Sequence, residues 1–320
     1  MSLPTPSVLD SIVASARKRV EVARERRSLT DLERAMGEAS NLKFGVSNSH
    51  RAFITVDGRA GIVDGRTARD DGRAGSPSPA DVNCASTTRP TFMASLQQPG
   101  IRVIAECKRR SPSKGVLRQQ YDPVEIAGQY ATAGAAAVSI LTEPGFFDGE
   151  LDHLVAVHAA HPAMPLLRKD FTVDEYQIAE AVVAGASAVL LIVAALEQPV
   201  LVRLLAYAAQ SGIAVLTEVH DENEAHRAMD AGATIVGVNN RNLKTLEVSV
   251  DTAHRVAPII ASARVRVAES GLRTGADVAR LHDAGYGAFL IGERFMTEAN
   301  PGEGLASIIG EARAALEAQA

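Results

Sequence analysis

Residues 181–193 read AVVAGASAVLLIV, a helical stretch that closes on Ala184-Gly185 and gives way to an unbroken apolar run. Glycine just past a helix end takes the left-handed conformation without a Cβ penalty. The pattern therefore describes a capped helix, a short loop and a buried strand. Outward from this stretch the unit repeats. Ala133-Gly134 precedes AAAVSIL, Ser211-Gly212 precedes IAVLTEV, Ala231-Gly232 precedes ATIVGVN and Ala284-Gly285 precedes YGAFLIG. The runs RVIAECK, MPLLRKD and RVRVAES lack the glycine cap and bring the strand count to eight, centred near residues 105, 139, 167, 191, 216, 237, 267 and 290. Spacings of roughly 21–34 residues leave room for one crossover helix each. Continuous rather than alternating apolar runs are those of a parallel sheet covered on both faces. Eight such units could form a doubly wound sheet or a closed barrel. The first strand–helix turn lacks a glycine-rich dinucleotide fingerprint, and eight is the number that closes a barrel. The sequence thus predicts an α/β fold, a (β/α)8 (TIM) barrel over residues 89–320.

The rest of the 320-residue chain differs from the barrel in character. Residues 1–40 read as two amphipathic helices, one opened by Ser7 and Asp10 and one by Ser28. The basic runs ARKR and ARERR are expected to form a solvated face. Residues 41–88 hold Asp-Gly-Arg at Asp57, Asp64 and Asp71 and the SPSP of Ser76 to Pro79, a low-complexity stretch too poor in apolar groups to offset its ordering entropy. It is predicted to be a disordered insertion. The formal net charge of −5 argues against a nucleic-acid or anionic-membrane binder. The apolar run from Ala181 to Leu196 falls short of the ~20 residues a membrane span needs. No secretory signal is visible, and Cys84 and Cys107 match no metal or disulfide framework. The expectation is a cytoplasmic protein.

In such barrels chemistry sits at the C-terminal ends of the strands. Reading those ends in order gives Glu106 and Lys108, then Thr142-Glu143, Lys169 with Phe171, the apolar Leu190, Glu218, Asn239 with Arg241, Glu269-Ser270-Gly271, and Gly292-Glu293. Residues two apart share a strand face, so Glu106 points with Lys108, Lys169 with Phe171 and Asn239 with Arg241. Charges inside apolar strands must be paired, solvated or functional. Ion pairs that merely fix the barrel mouth would explain any one of them, but they explain less well two lysines and two glutamates converging on one mouth. Ser270-Gly271 and Gly292-Glu293 lie in the last two loops, where barrels hold phosphate on glycine amides and helix N-termini. The eight histidines are scattered, mostly on helices, with no pair of strand-end ligands at metal spacing.

The stretches IAECKRRSPSKG, LTEPGFFDG, LLRKDFTVDEYQI, LTEVHDENE, VGVNNRNL, AESG and FLIGE, in that order, resemble indole-3-glycerol phosphate synthase. The resemblance implies a decarboxylating lyase of tryptophan biosynthesis. Such an enzyme closes the indole ring of 1-(2-carboxyphenylamino)-1-deoxyribulose 5-phosphate with loss of carbon dioxide and water, using no cofactor and no metal. It further implies Lys169 as general acid and Lys108 as holder of the substrate carboxylate. Glu218 and Glu106 would remove protons and stabilise a cationic intermediate, and Asn239 would position groups beside Arg241. Ser111, Ser270, Gly271, Gly292 and Glu293 fall at phosphate and substrate positions, and Pro112, Phe147, Phe171 and Leu190 form the slot for the aromatic ring. The implied partner is a small phosphorylated substrate, with no nucleic acid and no membrane. The chain would act as a monomer, alone or in association with other tryptophan-pathway enzymes. Two departures stand out: the low-complexity stretch before Arg89, and Glu293 where some relatives carry a small hydroxyl residue. The alternatives are another phosphosugar barrel that forms a Schiff base on Lys169, and a non-catalytic barrel that binds phosphorylated metabolites.

Overall fold

The computed structural model describes residues 7–43, 91–243 and 245–319. The predicted insertion over 41–88 lies outside the described residues from position 44 onward, as do Cys84 and Arg89. Eight parallel strands close a barrel: β1 Arg102–Cys107, β2 Ala137–Leu141, β3 Leu166–Lys169, β4 Ala188–Ile192, β5 Ala214–Val219, β6 Ile235–Asn239, β7 Val265–Glu269 and β8 Ala288–Ile291. Each strand pairs with its sequence neighbours, and β1 closes on β8 through Arg102 opposite Ala288 to Ala105 opposite Ile291. The glycines that end the repeating unit do adopt positive φ: 87° at Gly134, 91° at Gly185, 67° at Gly212, 84° at Gly232 and 93° at Gly285. The caps read from the sequence are therefore built as expected.

Strand parity divides the core in two. Val103, Ala105, Val138, Ile140, Val189, Leu191, Val236 and Phe289 face outward and pack under the surrounding helices. Ile104, Leu167, Leu190, Leu216, Ile235, Val267 and Leu290 fill the lumen, where Phe92 and Leu96 of a short helix at Phe92–Leu96 join them. Thr91 caps that helix, accepting from the Ala94 amide at 3.1 Å, and Arg102 Nε donates to the Ser95 carbonyl at 3.1 Å. The helix thereby plugs the end of the barrel where the strands begin. Each fully buried Leu, Ile or Phe here contributes about 1.5–3 kcal/mol.

The two N-terminal helices are α1, Val8–Arg26, and α2, Leu29–Lys43. Ser7 and Asp10 form a reciprocal capping box at the head of α1, and the Asp31 amide donates to Ser28 Oγ at 3.1 Å in α2. The basic face is not simply solvated. Arg19 makes a two-pronged contact with the buried Asp170 (2.9 and 3.2 Å), and Arg24 reaches Asp174 at 2.7 Å. An amphipathic pattern shows which face is charged but not which distant carboxylate meets it. Asp170 also accepts from Arg168 and Thr142, while Arg168 pairs with Glu180 at 2.8 Å. The N-terminal helix is thus fastened to the residue that follows Lys169.

Candidate active site

The lumen residues of the lower barrel set the parity of the mouth. Two places beyond Ile104 comes Glu106, beyond Leu167 comes Lys169, and beyond Leu216 comes Glu218; Val267 leads to Glu269 and Gly237 to Asn239. With side chains alternating faces, each of these must rise into the space above the apolar floor. They do so in one cavity of about 490 Å³. All fifteen side chains and glycines predicted from the sequence to form the site lie on its wall. A larger, more open groove of about 840 Å³ runs outside the barrel between α1 and Val183, away from the strand ends.

Four ionic groups crowd the centre. Lys108 Nζ lies 2.6 Å from Glu106 Oε1, and Lys169 Nζ donates to Glu218 Oε2 at 3.3 Å. Glu269 Oε2 stands 4.0 Å from the same ammonium. Asn239 Nδ2 donates to Glu218 Oε1 at 3.2 Å, and Asn239 Oδ1 accepts the Arg241 amide at 3.0 Å. Glycines make the space. A methyl group on Gly237 would fall 2.1 Å from Glu269 Oε1, and one on Gly292 would fall 2.6 Å from Glu106 Oε1. The rings of Phe147 and Phe171 are 6.4 Å apart, and with Pro112 and Leu190 they supply apolar wall. At the far side Ser270 (φ 63°) and Gly271 (φ 78°) are consecutive left-handed residues that bend the loop after β7. Glu293, reached by Arg241 at 3.2 Å and Lys114 at 3.4 Å, sits beside that bend.

The electrostatics follow from burial and company. Burial works against the Lys169 charge, yet Glu218, Glu269 and Glu106 outweigh it and hold the ammonium above its ordinary pKa. Burial likewise opposes ionisation of Glu218, but Lys169, the His220 side chain and Asn239 pull it well below the usual carboxylate range. Glu106 is lowered against its burial by Lys108 and Lys169. Glu269 goes the other way: burial and the neighbouring Glu218 raise it well above its ordinary value, with Lys169 opposing. The site therefore pairs cations with carboxylates and adds one carboxyl, Glu269, whose ionisation its surroundings oppose.

Two residues beside this centre carry no role in the sequence pattern. Glu269 is named there only as a strand end, although it stands in lumen parity with Val267 immediately before Ser270-Gly271. That parity was the available signal. His220, two residues past Glu218, packs behind it and outside the cavity lining.

A closed (β/α)8 barrel with ammonium and carboxylate groups converging above an apolar floor defines an acid–base enzyme of the barrel class. Residues 73–308 match the family profile described as Indole-3-glycerol phosphate synthase. The chain is 46% identical over 254 residues to the indole-3-glycerol phosphate synthase of Mycobacteroides abscessus, covering 79% of this chain and 89% of that one. It is 49% identical over 207 residues to the enzyme of the same name from Laribacter hongkongensis, covering 64% and 78%. The chain belongs to the indole-3-glycerol phosphate synthase family, and is a lyase of tryptophan biosynthesis. Among solved structures, 3-hexulose-6-phosphate synthase superposes with a TM-score of 0.51 at 17% identity, covering 67% of this chain and 99% of that one, a likeness of fold alone.

Proposed function

We propose that the cavity closes the indole ring of 1-(2-carboxyphenylamino)-1-deoxyribulose 5-phosphate, releasing carbon dioxide and water, with the acid–base work divided among the strand-end charges. The observation that carries this is Lys169 Nζ set between Glu218 and Glu269, with the Lys108–Glu106 pair on the same cavity wall. The aromatic ring enters the slot of Pro112, Phe147, Phe171 and Leu190. Its ring carbon attacks the ribulose carbonyl, and the oxygen takes a proton from Lys169 as the new carbon–carbon bond forms. Lys108 holds the substrate carboxylate out of bulk water until carbon dioxide leaves. Departure of the hydroxyl as water needs a proton donor, and loss of the ring proton needs a base. The ammonium groups serve the first, and Glu218 and Glu106 serve the second while stabilising the cationic intermediate. Asn239 fixes Glu218, and Arg241 and Ser111 complete the substrate wall. Phosphate is held by the Ser270-Gly271 and Gly292-Glu293 turns, a remote anchor that supplies binding energy for the reacting end. Arg241 and Lys114 neutralise the Glu293 carboxylate, which removes its objection to a phosphate nearby.

The same charges disfavour the Schiff-base alternative. A nucleophilic lysine must be neutral, and the acidic groups around Lys169, Glu218 first among them, hold its ammonium above the ordinary pKa. Incubation of purified protein with the carboxyphenylamino-deoxyribulose phosphate is expected to produce indole absorbance and fluorescence. Borohydride treatment during turnover is expected to leave the lysines unmodified. No indole at any substrate concentration would defeat the proposal, and a trapped adduct on Lys169 would transfer it to the aldolase type.

A second expectation concerns the space around Glu269. Gly237→Ala puts a methyl group where Glu269 Oε1 now lies, so the carboxyl must move and the Lys169 partners with it. Turnover should fall by about 10²-fold, the scale of a 1 Å misplacement, while circular dichroism stays that of the parent. Unchanged kinetics would show that Glu269 tolerates displacement.

As to setting, we place the protein in the cytoplasm as a monomer. Among the described residues no helix is long and apolar enough to cross a membrane, and the exposed large apolar side chains are all valines, of which Val22, Val155 and Val183 share the outer groove. Gel filtration at working concentration tests the monomer, and a dimer would replace it.

A further inference from the structure

His220 follows Glu218 by two residues at the end of β5, and its side chain is 9% exposed. Its Nδ1 lies 3.0 Å from Glu224 Oε2, and the same oxygen accepts the His220 backbone amide at 2.8 Å. Glu224 is in the first turn of the helix Glu222–Asp230, where Asp221 caps its amide at 2.8 Å, so the imidazole is tied to a rigid helix start. On the other side Nε2 stands 3.1 Å from Glu218 Oε1, an ion-pair contact that is not aligned as a hydrogen bond. The cavity side of Glu218 meets Lys169 from β3 and Asn239 from β6, with the Glu269 carboxyl on β7 and the Glu106 carboxylate on β1 nearby.

We infer that His220 is a positioning residue: a fixed imidazolium, braced by Glu224, that holds Glu218 ionised and oriented while Lys169 gives up its proton. The inference rests on the roles proposed above for Lys169 and Glu218. In the resting site Glu218 has two cationic partners. Once Lys169 donates to the carbonyl oxygen it becomes a neutral amine, and Glu218 is left facing Glu269 and Glu106. A carboxylate in that position would take back a proton or swing away, were it not for the cation behind it. Burial alone would discharge an imidazole, but Glu218 and Glu224 outweigh it and raise its pKa to about 10. The group therefore stays charged through neutral pH. It lies outside the cavity lining, so its influence reaches the substrate only through Glu218.

The test is steady-state kinetics of His220→Ala, His220→Gln and Glu224→Ala with the carboxyphenylamino substrate between pH 5.5 and 9. In His220→Ala, kcat is expected to fall about tenfold, the scale of losing an outer-shell partner, with KM changed less than about threefold. Removing the cation raises the Glu218 pKa, so the acid limb of the kcat profile should move to higher pH. His220→Gln keeps a donor without the charge and should stay low, and Glu224→Ala should fall in the same direction. A His220→Ala protein with kcat within about twofold of the parent and an unmoved profile overturns the inference, as does a rise in KM alone. Full activity in His220→Gln overturns the role of the charge. If His220→Ala does not fold, Glu224→Ala decides by the same readouts. A parent protein that makes no indole refutes the proposed reaction instead, which keeps the two failures distinct.

Discussion

Lys169→Ala lowers kcat by about 10²-fold or more, the scale of a lost acid–base group, and changes KM far less. The side chain rises from the end of β3 above Leu167 into the cavity, and its ammonium touches Glu218 at 3.3 Å and Glu269 at 4.0 Å. Truncation removes the proton donor for ring closure and leaves Glu218, Glu269 and Glu106 without the cation they share. Glu218 and Glu106, no longer drawn down by the ammonium, become easier to protonate, so residual activity should be lost at a higher pH than in the parent as acid is added. The substrate's phosphate and aromatic anchors lie elsewhere on the wall, which is why binding is expected to survive. Turnover assays with circular dichroism as a folding control check this. Near-normal kcat in a folded variant would remove Lys169 from the role of general acid.

The next residue carries the largest stability effect. Asp170→Ala should cost about 3–5 kcal/mol, the range for breaking a buried pair and stranding its partner. The carboxylate is fully buried and accepts from Arg168, Arg19, Thr142 Oγ1 and the Phe171 amide. Without it, Arg168, itself 4% exposed, loses its buried counter-ion and keeps Glu180, Thr142 Oγ1 and a carbonyl as partners. Burial opposes the Asp170 charge, but Arg168, Arg19 and Thr142 more than offset it and bring the pKa from an ordinary 3.8 to about 2. A depressed carboxylate pKa gives stability that is full above the unfolded value and lost as pH falls through the folded one. The parent should therefore lose this contribution between roughly pH 4 and pH 2, and Asp170→Asn should have no such loss in that window. Urea midpoints measured across it decide. An Asp170→Ala protein with an unchanged midpoint would mean that the network relaxes around the gap.

Much of this was visible in the chain. Five of the eight strand centres follow from the glycine-capped units because a helix end, a tight loop and a buried run are local events, each within about ten residues, and apolar runs at matching spacing supply the other three. Strand parity then places Glu106, Lys108, Lys169, Glu218 and Asn239 in the lumen without any tertiary knowledge. What local pattern could not supply is which groups meet across the barrel. Arg19 reads as part of a solvated basic face, since nothing near it in sequence announces Asp170. His220 reads as one scattered histidine, because Glu224, which braces it, belongs to the next helix. Glu269 has the right parity, but its raised pKa depends on Glu218 from a strand two places away.

The Arg19–Asp170 bond joins positions 151 apart. On a ribosome, the first helix is made long before its anchor exists, and closing so long a loop early would waste entropy that only a partly assembled barrel can recover. Any slack in so long a tether arrives one peptide bond away from Lys169.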